Sequence, residues 1–180
     1  MPTPHPTLKL IFDALAFAAE KHRDQRRKNA EAFPYINHPI AVAHVLIHDG
    51  GISDPVAICA ALLHDTLEDT ATTGEEIEHR FGPAVGRVVR EVTDDKNLSK
   101  PERKRLQVAQ SSGLSGSAKL VKLADKICNL RDMADAPPVG WPLARRQEYF
   151  DWAKAVVDGL RGVNPRLEAA FDQAYARRPV

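Results

Sequence analysis

The sequence predicts an all-α, single-domain helical bundle, and three observations carry that prediction. Apolar residues recur at helical spacing along most of the chain, no segment reads as a convincing strand, and the breaks fall on Pro, Gly and short polar runs. With 180 residues, 43% of them hydrophobic and 27% charged, the chain is long enough for one good core and has the balance of an ordinary soluble globule. Residues 1–180 are expected to form one domain with its core at about 7–176, without a repeat or a low-complexity linker.

The first helix starts at Thr7, a residue type suited to an N-cap, and carries Leu8, Ile11, Phe12, Leu15 and Ala19 on one stripe. After the basic run Arg26-Arg27-Lys28, residues Asn29 to Pro39 read as a loop, and Pro39 sits in the first turn of a second helix that Gly50-Gly51 ends. His38 therefore falls at a loop-to-helix junction. Ser53 or Asp54 caps a third helix, with Pro55 in its first turn. Its unbroken apolar run from Val56 to Leu63 requires burial nearly all round, and His64-Asp65 interrupts that run abruptly.

Thr73 and Glu76 have the spacing of a capping box for a helix beginning near Gly74, and Phe81-Gly82-Pro83 separates it from Val85 to Val92. Beyond a polar stretch from Thr93 to Lys100, helices are expected at Pro101 to Ala109, Ala118 to Asp132, about Leu143 to Leu160, and Pro165 to Ala176. The proline-rich loop Ala134 to Pro142 holds Trp141 where only local packing can bury it.

Composition excludes several classes. A formal net charge of +1 gives no support for nucleic-acid binding through overall basicity, although a local basic cluster can still receive a small phosphate-bearing ligand. Cys59 and Cys128 lie in apolar stretches with no disulfide framework, so a reduced, cytoplasmic setting is the expectation. The N-terminus lacks the pattern of a signal peptide, and no stretch approaches the roughly 20 apolar residues of a membrane span.

His64 and Asp65, adjacent at the end of a buried apolar helix, pose a burial problem. An ionised carboxylate loses several kcal/mol of hydration in an apolar interior, by order of magnitude, unless it is paired or bound to a metal. A divalent cation solves this if more ligands converge, and His38 and Asp125 stand at similar polar-apolar junctions. Asp125 borders the stripe formed by Leu120, Leu123, Ala124 and Ile127. Two imidazoles and two carboxylates suit Mn²⁺, Fe²⁺ or Zn²⁺, with positions left for water and a phosphate oxygen.

The order His38, His64-Asp65, Asp125 resembles the HD superfamily of metal-dependent phosphohydrolases, and the likeness extends further. The stretches RRK (26–28), PYINHPI (34–40), AALLHDTLEDT (60–70), EVTDDK (91–96), ERKRLQ (102–107), KLVKLADKICNLRD (119–132) and QEYFDWA (147–153) are similar to the hydrolase domain of RelA/SpoT proteins. They match still better the small animal-type alarmone hydrolases known as metazoan SpoT homologues, as does the longer spacer Asn29 to Phe33. The chain also stops where that small type stops, leaving no room for a synthetase domain. Degradation of the alarmone without its synthesis is what the resemblance implies, with manganese as the favoured ion.

By the same resemblance Glu68 and Asp69 form the catalytic acidic pair, four residues after His64 and Asp65 respectively, where both can face the metal side. Arg27 and Lys28, which by themselves read as an exposed pair complementing a helix dipole, match the family's basic pair facing the substrate's phosphates. Tyr35, Arg145 and Tyr149 are either packing residues or groups that stack on a purine and clamp a 5′-phosphate. Lys100 and Asn129 are further substrate-side candidates; Asn129, one turn beyond Asp125, can equally support that carboxylate, and Lys100 and Lys122 can equally be solvated. His44, His48 and His79 match no motif and are read as structural.

The expected activity is hydrolysis of the 3′-pyrophosphate of guanosine 3′,5′-bis(diphosphate). Two alternatives stand beside it: a phosphatase acting on another nucleotide such as NADPH, and a binding module that holds the alarmone without turnover. The expected partner is a small guanosine nucleotide, with neither nucleic acid nor membrane.

Overall fold

The computed structural model describes residues 5–180 and is a helical bundle with no strand among them. Its elements are α1 (Pro6–Lys21), α2 (Asn37–His48), α3 (Pro55–Leu63), α4 (Thr66–Asp69), α5 (Gly74–Phe81), α6 (Pro83–Val92), α7 (Lys100–Gln110), α8 (Gly116–Asp135), α9 (Leu143–Asp158) and α10 (Pro165–Tyr175), with a 3-10 turn at Ser111–Gly113.

The core is built around α3, which packs against α1, α2, α6 and α8. Ala57, Cys59, Ala60, Ala61 and Leu63 are fully buried there, as the unbroken apolar run requires. The second spine is α8, whose Val121, Leu123, Ala124, Ile127 and Leu130 are equally inaccessible. Small side chains on α3 let its neighbours approach closely, so the end of this helix delivers His64 and Asp65 to the middle of the bundle.

Several boundaries differ from the sequence expectation. Thr7 lies inside α1, which begins at Pro6 with His5 at the cap position and no side-chain cap bond, because proline's fixed φ pre-organises the first turn. Asp54, not Ser53, caps α3, accepting from Val56 N at 3.0 Å. Half of the capping box forms: Thr73 accepts from Glu76 N, while the Glu76 carboxylate turns away to Lys21 at 3.0 Å. Ser99, Ser115 and Asn164 cap α7, α8 and α10. α8 extends beyond both expected ends, and α9 stops two residues before Leu160.

Two irregular features shape the site. α3 does not run on into α4: His64 and Asp65 form a turn between them, held by Thr66 Oγ1 donating to Leu63 O at 2.7 Å. The expected loop after α1 contains an isolated antiparallel bridge between Arg26 and Pro34, with Arg27 N donating to Phe33 O at 2.8 Å and Tyr35 N to Gln25 O at 3.0 Å. Val139 N donates to Lys28 O at 3.1 Å and ties the proline-rich loop to this one.

Candidate metal centre and acidic pair

Three parts of the fold converge on the candidate ligands. His38 comes from the first turn of α2, His64 and Asp65 from the break after α3, and Asp125 from the middle of α8. His38, His64 and Asp65 each offer an atom within 4.8 Å of the other two. Asp125 Oδ1 lies 3.1 Å from His38 Nε2 and 3.8 Å from His64 Nε2, and Asp65 Oδ2 lies 3.0 Å from His64 Nε2 and 4.0 Å from His38 Nε2.

The donor set fits a divalent cation. His64 Nδ1 contacts Ala61 O at 2.7 Å, which directs Nε2 towards the carboxylates, and that buried Nε2 has no hydrogen-bond partner. Asp125 has both oxygens engaged on their outer sides: Asn129 Nδ2 donates to Oδ1 at 2.5 Å and Lys126 Nζ to Oδ2 at 3.0 Å. Tyr35 Oη donates to Asp65 Oδ2 at 2.6 Å. The ligand atoms are thus oriented before any ion arrives.

Charge in this cluster follows from burial set against pairing. Burial opposes charging of His64, but Asp65 and Asp125 outweigh it and push the ring up to about 9. Burial would raise Asp65, yet His64 and His38 hold it well below the usual carboxylate range. Asp125 is likewise held low against burial, by Lys126 first and then by the two histidines. In the metal-free protein the raised His64 value stabilises the fold fully below about 6.5, the ordinary histidine value. That contribution is lost as pH rises through about 9.

A ligating imidazole must be neutral, so a cation bound through His64 would displace its proton. Metal affinity is expected to rise about tenfold per pH unit above neutrality, because one proton competes for the site, and to level off above about 9, as His64 loses its proton without the metal. Calorimetric titration in buffers of different ionisation enthalpy counts the released proton directly. An affinity independent of pH would overturn this account.

Glu68 and Asp69 lie on α4 and border the metal cleft. Arg103 Nη1 donates to Glu68 Oε1 at 2.9 Å and Lys96 Nζ to Asp69 Oδ1 at 2.6 Å. Burial, with Asp94, Asp65 and Asp69 nearby, raises the Glu68 carboxyl above its ordinary value. A half-buried carboxylate of raised basicity beside a metal cluster is suited to accepting a proton from water.

A second cleft of about 790 Å³ opens from the same place and is lined by Arg27, Lys28, Lys100, Trp141 and Tyr149. Arg27 and Lys28 lie six and seven residues beyond the end of α1, so they do not complement its dipole, and Arg27 pairs with Asp132 of α8. The Arg145 guanidinium stacks 4.0 Å from the Trp141 ring, with Lys100 Nζ 5.6 Å from the same ring. Tyr149 meets Trp141 and Trp152 edge-on, and burial pushes its hydroxyl up to about 12. Trp141 is half-buried by these neighbours, as its local setting required.

Some placements depart from expectation. Tyr35 gives its hydroxyl to Asp65, with its ring 5.7 Å from the Arg27 guanidinium, so it touches the candidate metal centre as well as lining the basic cleft. Lys122 is not solvated: it is 8% exposed and donates to Val92 O at 2.7 Å. His44 and His48 stack on the outer side of α2 with centroids 4.1 Å apart, and His79 is exposed on α5, so all three lie outside the metal cleft.

Sequence reasoning missed Lys126, 3% exposed between Asp125 and the Trp152 ring at 4.5 Å. It also missed Arg103, Lys96, Asp94 and Gln107, and a chain in which His22 Nδ1 contacts Gln25 Oε1 at 2.7 Å while Gln25 Nε2 donates to Asp69 O at 2.6 Å. Most of these fall in or beside the quoted motif stretches, which was the available signal.

This helical architecture with a His/His-Asp/Asp cluster defines a class. Residues 14–149 match the HD domain family, and the chain belongs to it. Within that class it belongs with proteins named guanosine-3′,5′-bis(diphosphate) 3′-pyrophosphohydrolase MESH1. The Xenopus tropicalis protein of that name is 58% identical over 166 residues, covering 92% of this chain and 93% of the relative. The Homo sapiens protein is 57% identical over 168 residues, covering 93% and 94%. A solved structure described as a metazoan ortholog of SpoT that hydrolyzes ppGpp and plays a role in starvation responses superposes with a TM-score of 0.92. It is 48% identical, with 99% of this chain and 98% of that chain covered.

Proposed function

We propose that the chain hydrolyses the 3′-pyrophosphate of guanosine 3′,5′-bis(diphosphate), giving GDP and pyrophosphate, and converts the pentaphosphate to GTP and pyrophosphate. The observation that carries this reading is the junction of the two clefts. Tyr35, His38, Asp69 and Asn129 line both, so a nucleotide held in the basic cleft presents a phosphate to the metal cluster. The relatives' shared name supports the same substrate.

His38, His64, Asp65 and Asp125 would hold the divalent ion. Two imidazoles and two carboxylates suit Mn²⁺, Fe²⁺ and Zn²⁺ about equally, and the resemblance is what favours Mn²⁺. When bound, such an ion supplies a water acidic enough to ionise near neutral pH and offsets phosphate charge. Glu68 and Asp69 orient the attacking water and take its proton. Water oxygen bonds to the phosphorus joined to the ribose 3′-oxygen, the bond to that oxygen breaks, and the proton taken from the water is returned to the oxygen, which leaves as the 3′-hydroxyl. Arg27, Lys28, Lys100 and Arg145 hold the substrate's phosphates, Tyr149 packs beside the nucleoside, and Tyr35 and Asn129 fix Asp65 and Asp125.

Residues 1–180 act as one domain in this reading. The free, buried Cys59 and Cys128 suit a reducing cytoplasm. No helix among the described residues is long and apolar enough to cross a membrane. The test is a substrate panel with metal analysis on one preparation: the alarmone, NADPH and simple nucleotides, each with Mn²⁺-loaded protein. Pyrophosphate release from the alarmone is expected, and its absence under conditions where a control hydrolase works would overturn the proposal.

A further inference from the structure

Glu68 stands in an acidic neighbourhood, with Asp65, Asp69 and Asp94 all acting on it. Asp69 has its own cation in Lys96, and Asp94 accepts from Gln107 Nε2 at 2.6 Å. The cation hydrogen-bonded to Glu68 itself is Arg103, from the first turns of α7, and the two side chains are only 25% and 20% exposed. Arg103 lines neither the metal cleft nor the basic cleft, but a cavity of about 320 Å³ behind the wall formed by Asp94, Gln107 and Lys122, which the metal cleft shares. It therefore reaches the reaction through Glu68 and not through the nucleotide.

We infer that Arg103 is a positioning residue for the hydrolysis proposed above: by occupying Glu68 Oε1 it fixes the carboxylate's rotamer and leaves Oε2 as the atom that meets the water. Without it, a carboxylate with three acidic neighbours keeps only the Asp94 backbone N–H as a partner and is freer to swing towards solvent. A charge-assisted bond of this kind restricts the acceptor more strongly than a neutral one. The competing explanation is that Arg103 merely fastens α7, a helix with no fully buried residue, to the bundle.

A double-mutant cycle separates the two, because a residue acting only through another has nothing left to contribute once that partner is disabled. The proteins are wild type, Arg103→Met, Glu68→Gln, the double variant and Arg103→Lys, all Mn²⁺-loaded and assayed for pyrophosphate release from the alarmone. Arg103→Met is expected to lower kcat by about 10- to 100-fold with KM within about twofold and metal content unchanged, while Arg103→Lys recovers part of the loss. In the Glu68→Gln background the same change is expected to cost less than about twofold.

Equal fold-losses in both backgrounds, or no loss in either, would overturn the inference while leaving the alarmone reading intact. The inference rests on that reading, so a wild-type protein that releases no pyrophosphate overturns both.

Discussion

Exchanging Glu68 and Asp69 together for Gln and Asn is expected to lower pyrophosphate release by about three orders of magnitude or more, with bound metal unchanged. General base assistance from a placed carboxylate contributes about 10²–10⁴-fold, and here two neighbouring groups share the task. Neither residue belongs to the group of His38, His64 and Asp65 whose ligand atoms lie within 4.8 Å of one another. The amide replacements keep side-chain shape and relieve repulsion among Glu68, Asp65, Asp69 and Asp94. The fold should therefore persist, which a thermal melt and elemental analysis of the purified variant will check. If turnover survives at more than a tenth of the wild-type rate, the proton acceptor lies elsewhere; if metal is lost with activity, the pair are ligands.

The second large effect is expected at Asp125. Its carboxylate joins His38 and His64 on one side to Lys126 and Asn129 on the other. Burial opposes the charge on Lys126, and Asp125 is the foremost group that sustains it. Asp125→Ala removes a candidate ligand and strands a buried ammonium, a situation that costs about 3–5 kcal/mol when one partner of a buried pair is deleted. Metal binding and activity should be abolished, and the denaturation midpoint should drop even for the metal-free form. Asp125→Asn, which retains the shape and one acceptor oxygen, should lose metal with a smaller loss of stability. Full metal occupancy in Asp125→Ala would remove Asp125 from the ligand set.

Much of this arrangement is legible from the sequence, for identifiable reasons. The run from Val56 to Leu63 can only be a buried helix, so its polar terminus His64-Asp65 announces a site. His38 and Asp125 follow because the same chemistry needs partners, and the quoted motifs supply Glu68 and Asp69. Lys126 is different: a lysine in a helix reads as solvent-facing, and only the arrival of α9 with Trp152 buries it. Arg103 lies in a strongly charged helix whose sequence is indistinguishable from a solvated one, and its contact with Glu68 spans 35 residues. The Arg26–Pro34 bridge has no strand-like alternation to betray it. Thr7 was a misleading cap because Pro6, one position earlier, sets the first turn.

The break between α3 and α4 makes α3 a ruler. Each residue of an α-helix advances about 1.5 Å and turns about 100°, so a single insertion or deletion between Pro55 and Leu63 would aim His64 into the packed core or away from His38. Chain-length variation is therefore forbidden in α3, whereas the Asn29 to Phe33 loop, whose ends are pinned by the bridge, can lengthen or shorten without turning any candidate ligand. An alignment gap in the first segment should mark a protein that has lost the centre, and a gap in the second should carry no such meaning.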